Sequence, residues 1–196
     1  MVVYVCSPQL PMTRSVPLSR KQLLISIGIA MVLLDVALLI LDQKMKDAGG
    51  PSILGFEFAG SEQQAAQIMA EWGDSGRDYA RWSLWIDFGF MLSYGAFFTL
   101  AAIGTRDFAR ENGLRGLAAI GIVAPLSAAC AAIFDAGENV FLLLTLGGHG
   151  GSFGPPIAAV CASLKFLLIT FAIVYVLWGL ASRLLRHWRP GEASEP

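Results

Sequence analysis

The chain has 196 residues, of which 55% are hydrophobic and 15% charged, with a mean hydropathy of +0.59. A soluble globular domain carries about 25% charged residues, so this composition lacks the polar surface needed to face water on all sides. A net charge of -1 gives no broad basic field, which removes the usual reason to expect a nucleic acid as partner.

Hydropathy divides the chain into four apolar stretches, at about Leu23 to Leu41, Leu84 to Ile103, Leu117 to Leu144 and Ile157 to Leu180. Each supplies the roughly 20 residues that a hydrocarbon core about 30 Å thick requires of a helix. Lipid offers backbone groups no hydrogen-bond partner, so helices are the expected form of these runs. The predicted fold is all-α: a bundle of four transmembrane helices with a short amphipathic extracytoplasmic helix in the first loop. Residues 1–21 read as a cytoplasmic segment, 22–182 as the transmembrane domain with its external loop at 42–80, and 183–196 as a cytoplasmic tail.

In the first segment, Arg14, Arg20 and Lys21 precede an apolar run longer than a signal-peptide core, and the LDQKMKDAGG that follows lacks a small-x-small cleavage site. A retained first span is expected. Met12 offers a second start directly before the basic flank. Arg106, Arg110 and Arg115 then separate spans 2 and 3, and Arg183, Arg186 and Arg189 follow span 4. Lysine and arginine in short flanks favour the cytoplasm, so both termini are expected inside a plasma membrane.

The first external loop is too long for a simple connector. Within it Ser61–Gln64 has the form of a capping box, and Ala65, Ile68, Met69 and Trp72 follow at helical spacing. Before it, Ile53, Leu54, Phe56 and Phe58 predict an extended apolar piece that tucks beneath that helix, the two together capping the outer end. Trp72, Tyr79, Trp82 and Trp85 read as an interfacial aromatic belt. The third stretch is overlong and contains Pro125, which predicts a kink, a tilt or a projecting end.

Cys6, Cys130 and Cys161 form no CxxC pair, which excludes a vicinal-thiol oxidoreductase, and buried cysteine commonly serves as a small hydrophobe. His149, alone in its loop, reads as solvent-exposed, and His187 as a flank residue.

Ionisable residues inside spans carry the functional signal, because each costs about 2.5–3.5 kcal/mol at a helix centre on insertion scales. They are Asp35 in span 1, Asp87 in span 2, Asp135 and Glu138 in span 3, and Lys165 in span 4, accompanied by Tyr94 and Asn139. Asp135, Glu138 and Asn139 share one helix face by their i, i+3, i+4 spacing, continued by Ala131, Ala132, Ala128 and Ala124. Asp87 and Tyr94 also share a face, and Ala158, Cys161 and Ala162 lead onto Lys165. All four spans are therefore expected to contribute to one polar layer in the outer half of the bundle.

Three readings of this layer are open. It can be a buried ion-pair network that fixes helix register. Its surplus of acid over Lys165 can form a site for a cation, proton or amine entering from outside. The acids of Asp135–Asn139 can act as general acid and base, or as oxygen ligands to a divalent metal, on a lipid substrate, although no nucleophile, histidine cluster or phosphate loop accompanies them. The expected partners are membrane lipids and a small cation or lipid ligand, with a homo-oligomer also compatible. No particular cofactor is implied.

The series FEFAGS, an acid-rich helix ending in Trp72, GRDY, WIDFGFMLSYG and DAGEN resembles a group of small bacterial four-helix integral membrane proteins of uncharacterised function. The resemblance implies one four-span domain in a bacterial inner membrane and brings no activity with it. Small multidrug exporters differ in having a glutamate in the first span and short loops, and claudin-like proteins in having a cysteine pair in the first external loop.

Overall fold

The computed structural model describes residues 19–188, and every regular element among them is helical. The order is α1 Arg20–Asp47, α2 Ile53–Glu57, α3 Glu62–Glu111, α4 Arg115–Ile120, α5 Val123–Leu146 and α6 Gly154–His187. Four units, namely α1, α3, α4 together with α5, and α6, are long and apolar enough to cross a membrane. The expectations for Met12, Arg14, Cys6 and Arg189 fall outside the described residues.

α1 starts on a capping box that the sequence reading did not single out. Ser19 Oγ accepts from the Gln22 amide at 3.3 Å, and Gln22 Oε1 accepts from the Ser19 amide at 3.0 Å. The box expected at Ser61 is half formed. Ser61 Oγ accepts from the Gln64 amide at 3.3 Å, but the Ser61 amide donates to Ala59 O instead of to the glutamine side chain.

The Ile53–Phe58 piece expected to be extended forms the helical turn α2 instead. Its first amide, that of Ile53, donates to Asp42 Oδ1 at 2.8 Å, so α1 supplies the acceptor that lets a helix begin there. Asp42 is itself held by Lys46 at 2.7 Å. The helical turn sends Phe56 and Glu57 inward, both buried, and leaves Leu54 and Phe58 exposed.

α3 bends at Gly73, whose φ of 60° and ψ of -163° suit a residue without Cβ. Arg77, one turn past the bend, reaches back across it, its Nε donating to Met69 O at 3.0 Å. Trp72, on the near side of the bend, is not part of an exposed belt. It is 1% exposed, its Nε1 donates to Pro51 O at 2.8 Å, and its ring lies 5.1 Å from that of Phe56. Trp82 and Trp85 are exposed.

Of the kink, tilt or projecting end expected of the third stretch, the structure shows an interruption: α4 and α5 are separated at Gly121 and Ile122. Pro125 has no N–H for the carbonyl of Gly121, and its ring crowds that carbonyl. Tyr175 fills the notch and donates its hydroxyl to Leu117 O at 3.1 Å.

α3, α5 and α6 pack against one another, whereas α1 lies along α3 and buries only Met45. Small residues set the α3–α5 approach: a Cβ placed on Gly95 would stand 2.9 Å from Ala132 Cβ, and Ala124, Ala128 and Ala131 are fully buried. The bundle has a loop end, carrying α2 and residues 147–153, and a terminal end, carrying the start of α1, the α3–α4 turn and the end of α6. Phe56, Trp72, Leu84 and Leu142 form the core at the loop end, and Ala102, Leu117, Ala124 and Tyr175 form that at the terminal end.

Candidate functional site

Between these two apolar cores, α2, α3, α5 and α6 converge on Lys165. The i, i+3, i+4 spacing on α5 turns Asp135, Glu138 and Asn139 to the interior, where each is at least 98% buried. Ala158 and Ala162, fully buried on the same helix as Lys165, let α6 come close enough for the lysine to reach them. Lys165 Nζ lies 3.0 Å from Asp135 Oδ1, 2.9 Å from Glu138 Oε2 and 3.5 Å from Glu57 Oε2.

Two neutral groups extend the network onto α3. The Tyr94 hydroxyl donates to Asp135 Oδ2 at 2.8 Å, so both oxygens of Asp135 are engaged. Asn139 Nδ2 donates to Asp87 Oδ2 at 2.6 Å. Six of the seven residues singled out in the sequence thus find partners among themselves, in two groups: Lys165 with Asp135, Glu138 and Tyr94, and Asp87 with Asn139. Asp35 is the exception: it is exposed on α1 and forms no side-chain hydrogen bond or ion pair among the described residues.

Glu57 is the member that the sequence reading missed. An extended 53–58 piece gives its carboxylate no defined direction or partner. The signal was an acid set between Phe56 and Phe58 within an apolar run, where a helical turn would carry it inward beside Phe56. It is 8% exposed, and its Oε2 accepts no hydrogen bond among the described residues. Glu138 Oε1 likewise has no partner, and Lys165 approaches Glu138 Oε2 outside hydrogen-bond geometry despite the short distance. Three acceptor atoms are therefore buried with their hydrogen-bonding capacity unused, each at a cost of about 1–3 kcal/mol or more if it stays so.

A cavity of about 380 Å³ opens beside this cluster. Glu57, Asp87, Asp135, Tyr94 and Lys165 face it, and Asp35 stands on its rim. Apart from Ser83 the remaining wall is apolar, including Met31, Val32, Leu38, Phe98, Ile169 and Ile173. Phe58 of the α2 turn stacks on Phe166 of α6, with ring centroids 6.1 Å apart, and closes part of the loop end. The volume and the mix of a few polar groups with an apolar lining match what small-molecule sites use.

Cys130 and Cys161 are free and partly buried, and His149 is exposed. Among the described residues no three histidine, cysteine or acidic side chains stand in an arrangement able to hold a metal ion. In comparisons with known proteins, no family model matches the chain, and no curated protein or solved structure matches it.

Proposed function

We propose that this chain is a multi-pass protein of a bacterial inner membrane, with both termini cytoplasmic, that binds a small cation of the ammonium class in the cavity beside Lys165. The cavity then opens in the outer half of the membrane. Support for the orientation comes from the arginines at the terminal end, which include Arg20, Arg106, Arg110, Arg115, Arg183 and Arg186. The resemblance to small bacterial four-helix membrane proteins supports the location.

One observation carries the binding reading: four carboxylates, those of Asp35, Glu57, Asp87 and Asp135, share a single cavity with one ammonium group. Glu138 adds a fifth acid directly behind Lys165. Buried charge is tolerated when it is paired, and Lys165 cannot balance all of these groups. A network serving only as interhelical glue needs no open volume against its charged groups, and this one has a cavity beside them. Asp87, partnered by a neutral amide, is the acid best placed to receive a second cation.

The test uses the purified full chain in detergent, with ethylammonium chloride as probe and ethanol and sodium chloride as controls. Ethylammonium should raise the unfolding temperature, and a ligand at 100 times its Kd adds about 2.7 kcal/mol by mass action. Asp87→Asn keeps the shape of the side chain, removes its charge and should abolish the rise. An equal response to ethanol or sodium chloride, or none to ethylammonium, would overturn the reading. A C-terminal fusion reporter active outside the cytoplasm would overturn the orientation.

A further inference from the structure

The cavity is polarised along its length. On α3 it runs from Ser83 and Leu84 through Asp87, Phe90 and Tyr94 to Phe98, a span of about 22 Å at 1.5 Å per residue. All its charged groups, on α1, α2, α3, α5 and α6, lie toward the loop end. Toward the terminal end the wall is Met31 and Val32 of α1, Phe98 of α3, and Ile169 and Ile173 of α6, with no charge. A hydrated ion needs no such apolar extension.

The cavity is also open sideways. α1 packs along α3 and makes no more than marginal contact with α6, so the two helices flank the cavity without closing it. On the rim Val32 is 56% exposed and Phe166 40% exposed, and Asp35 is exposed beside them. Across the loop end, by contrast, α2 lays Ile53 and Glu57 over the cavity, and Phe58 covers Phe166. The open path therefore leads between α1 and α6 onto the apolar outer surface of the bundle, not through the loops.

Resting on the cation reading above, we infer that the ligand is a single-chain amphiphile with a cationic amine head, entering from the lipid between α1 and α6. Its head sits among Asp87, Glu57 and Asp135, and its tail lies along Met31, Val32, Ile169 and Ile173. Asp35, an acid on an otherwise apolar helix face, meets the head during entry. Glu57 lines the cavity, and its buried Oε2, without a hydrogen bond among the described residues, leaves this carboxylate with accepting capacity for the ammonium protons.

The experiment uses the full chain in phosphatidylcholine nanodiscs with dodecylammonium bearing a diazirine at the tail end, and locates photo-adducts by mass spectrometry. Adducts should concentrate on Met31, Val32, Ile169 and Ile173 relative to Leu33 and Leu39, which face outward on the same α1. That excess should be lost in Asp87→Asn and on adding unlabelled dodecylammonium, while dodecanol leaves it in place. Adducts spread evenly over Leu33, Leu39 and the cavity wall would overturn the amphiphile and its route, and a surviving ethylammonium response would leave the cation reading standing. Concentrated adducts that ignore Asp87→Asn and yield to dodecanol would instead overturn the cationic head.

Discussion

Polar side chains hold both halves of the bundle, but in different ways. Toward the loop end, Lys165 sits among Glu57, Asp135 and Glu138 with all four groups at least nine-tenths buried. At the terminal end, Arg20 bridges to Asp107 at 3.3 Å and donates to Leu100 O, Arg183 donates to Gly104 O, and Arg186 donates to both the side chain and the backbone of Asn112. These arginines are exposed and reach mostly neutral carbonyl acceptors, so little charge is withdrawn from solvent. Removing one partner of a buried pair strands a charge, whereas removing one partner of an exposed pair returns it to water. Substitutions of similar chemistry should thus have very different consequences at the two ends.

The largest effect is expected at Lys165. Lys165→Met leaves Asp135 and Glu138 buried without their counter-charge and should destabilise the fold by about 3–5 kcal/mol. Adding Glu138→Gln removes one stranded charge and should recover part of that loss, although each substitution alone is destabilising. Unfolding of the three variants in detergent measures the coupling as a double-mutant cycle. Additive losses would mean that the two groups do not act as a pair.

A smaller effect is expected where α3 begins. Ser61 satisfies one amide of the first turn, at Gln64, and lacks the reciprocal glutamine bond, so Ser61→Ala should cost about 0.5–2 kcal/mol. Hydrogen exchange should show the loss confined to residues 62–72, on the near side of the Gly73 bend. Protection lost equally across Leu84 to Ile103 would show that the two parts of α3 open together.

How much of this arrangement could be read from the sequence depends on the range over which each feature is decided. The four apolar stretches and the shared face of Asp135, Glu138 and Asn139 follow from local periodicity, and they match α1, α3, α5 and α6. Pro125 marked the third stretch as irregular without deciding between a kink, a tilt and a projecting end, and the α4–α5 interruption falls at the carbonyl four residues back, on which its missing N–H acts. α2 was misread since its starting acceptor, Asp42, comes from another helix eleven residues away. Glu57 depends on the same long-range contact: only the helical turn gives its side chain a direction and makes it the third carboxylate of Lys165. Trp72 differs from the expected belt for a related reason, because the Pro51 carbonyl that takes its Nε1–H lies twenty-one residues away, just before α2. Asp35 lies on α1 and lines the cavity, but it stays exposed because whether α1 meets α6 is set by packing that no single stretch encodes.

The smallest effect should come from the exposed pair Arg20 and Asp107. Asp107 lies beyond the apolar stretch ending at Ile103, and desolvation alone would raise its carboxyl. The hydrogen bonds from Arg20 and Arg106, together with the positive charge of both guanidiniums, outweigh that and hold it below its ordinary value of 3.8. A carboxyl depressed in the folded state stabilises that state above its unfolded value and loses the contribution as pH falls through the folded one. Arg20→Gln should therefore lower the unfolding temperature slightly at pH 7, and the gap from the unaltered chain should narrow as pH falls below about 4. Salt should narrow it too, because solvent-exposed charges are screened over about 3 Å at 1 M ionic strength. Lys165→Met, whose partners lie out of solvent, should keep its deficit at the same salt concentration. If 1 M salt rescued Lys165→Met as well as Arg20→Gln, the distinction between a buried and an exposed network would fail, because both sets of charges would then be open to the same ions.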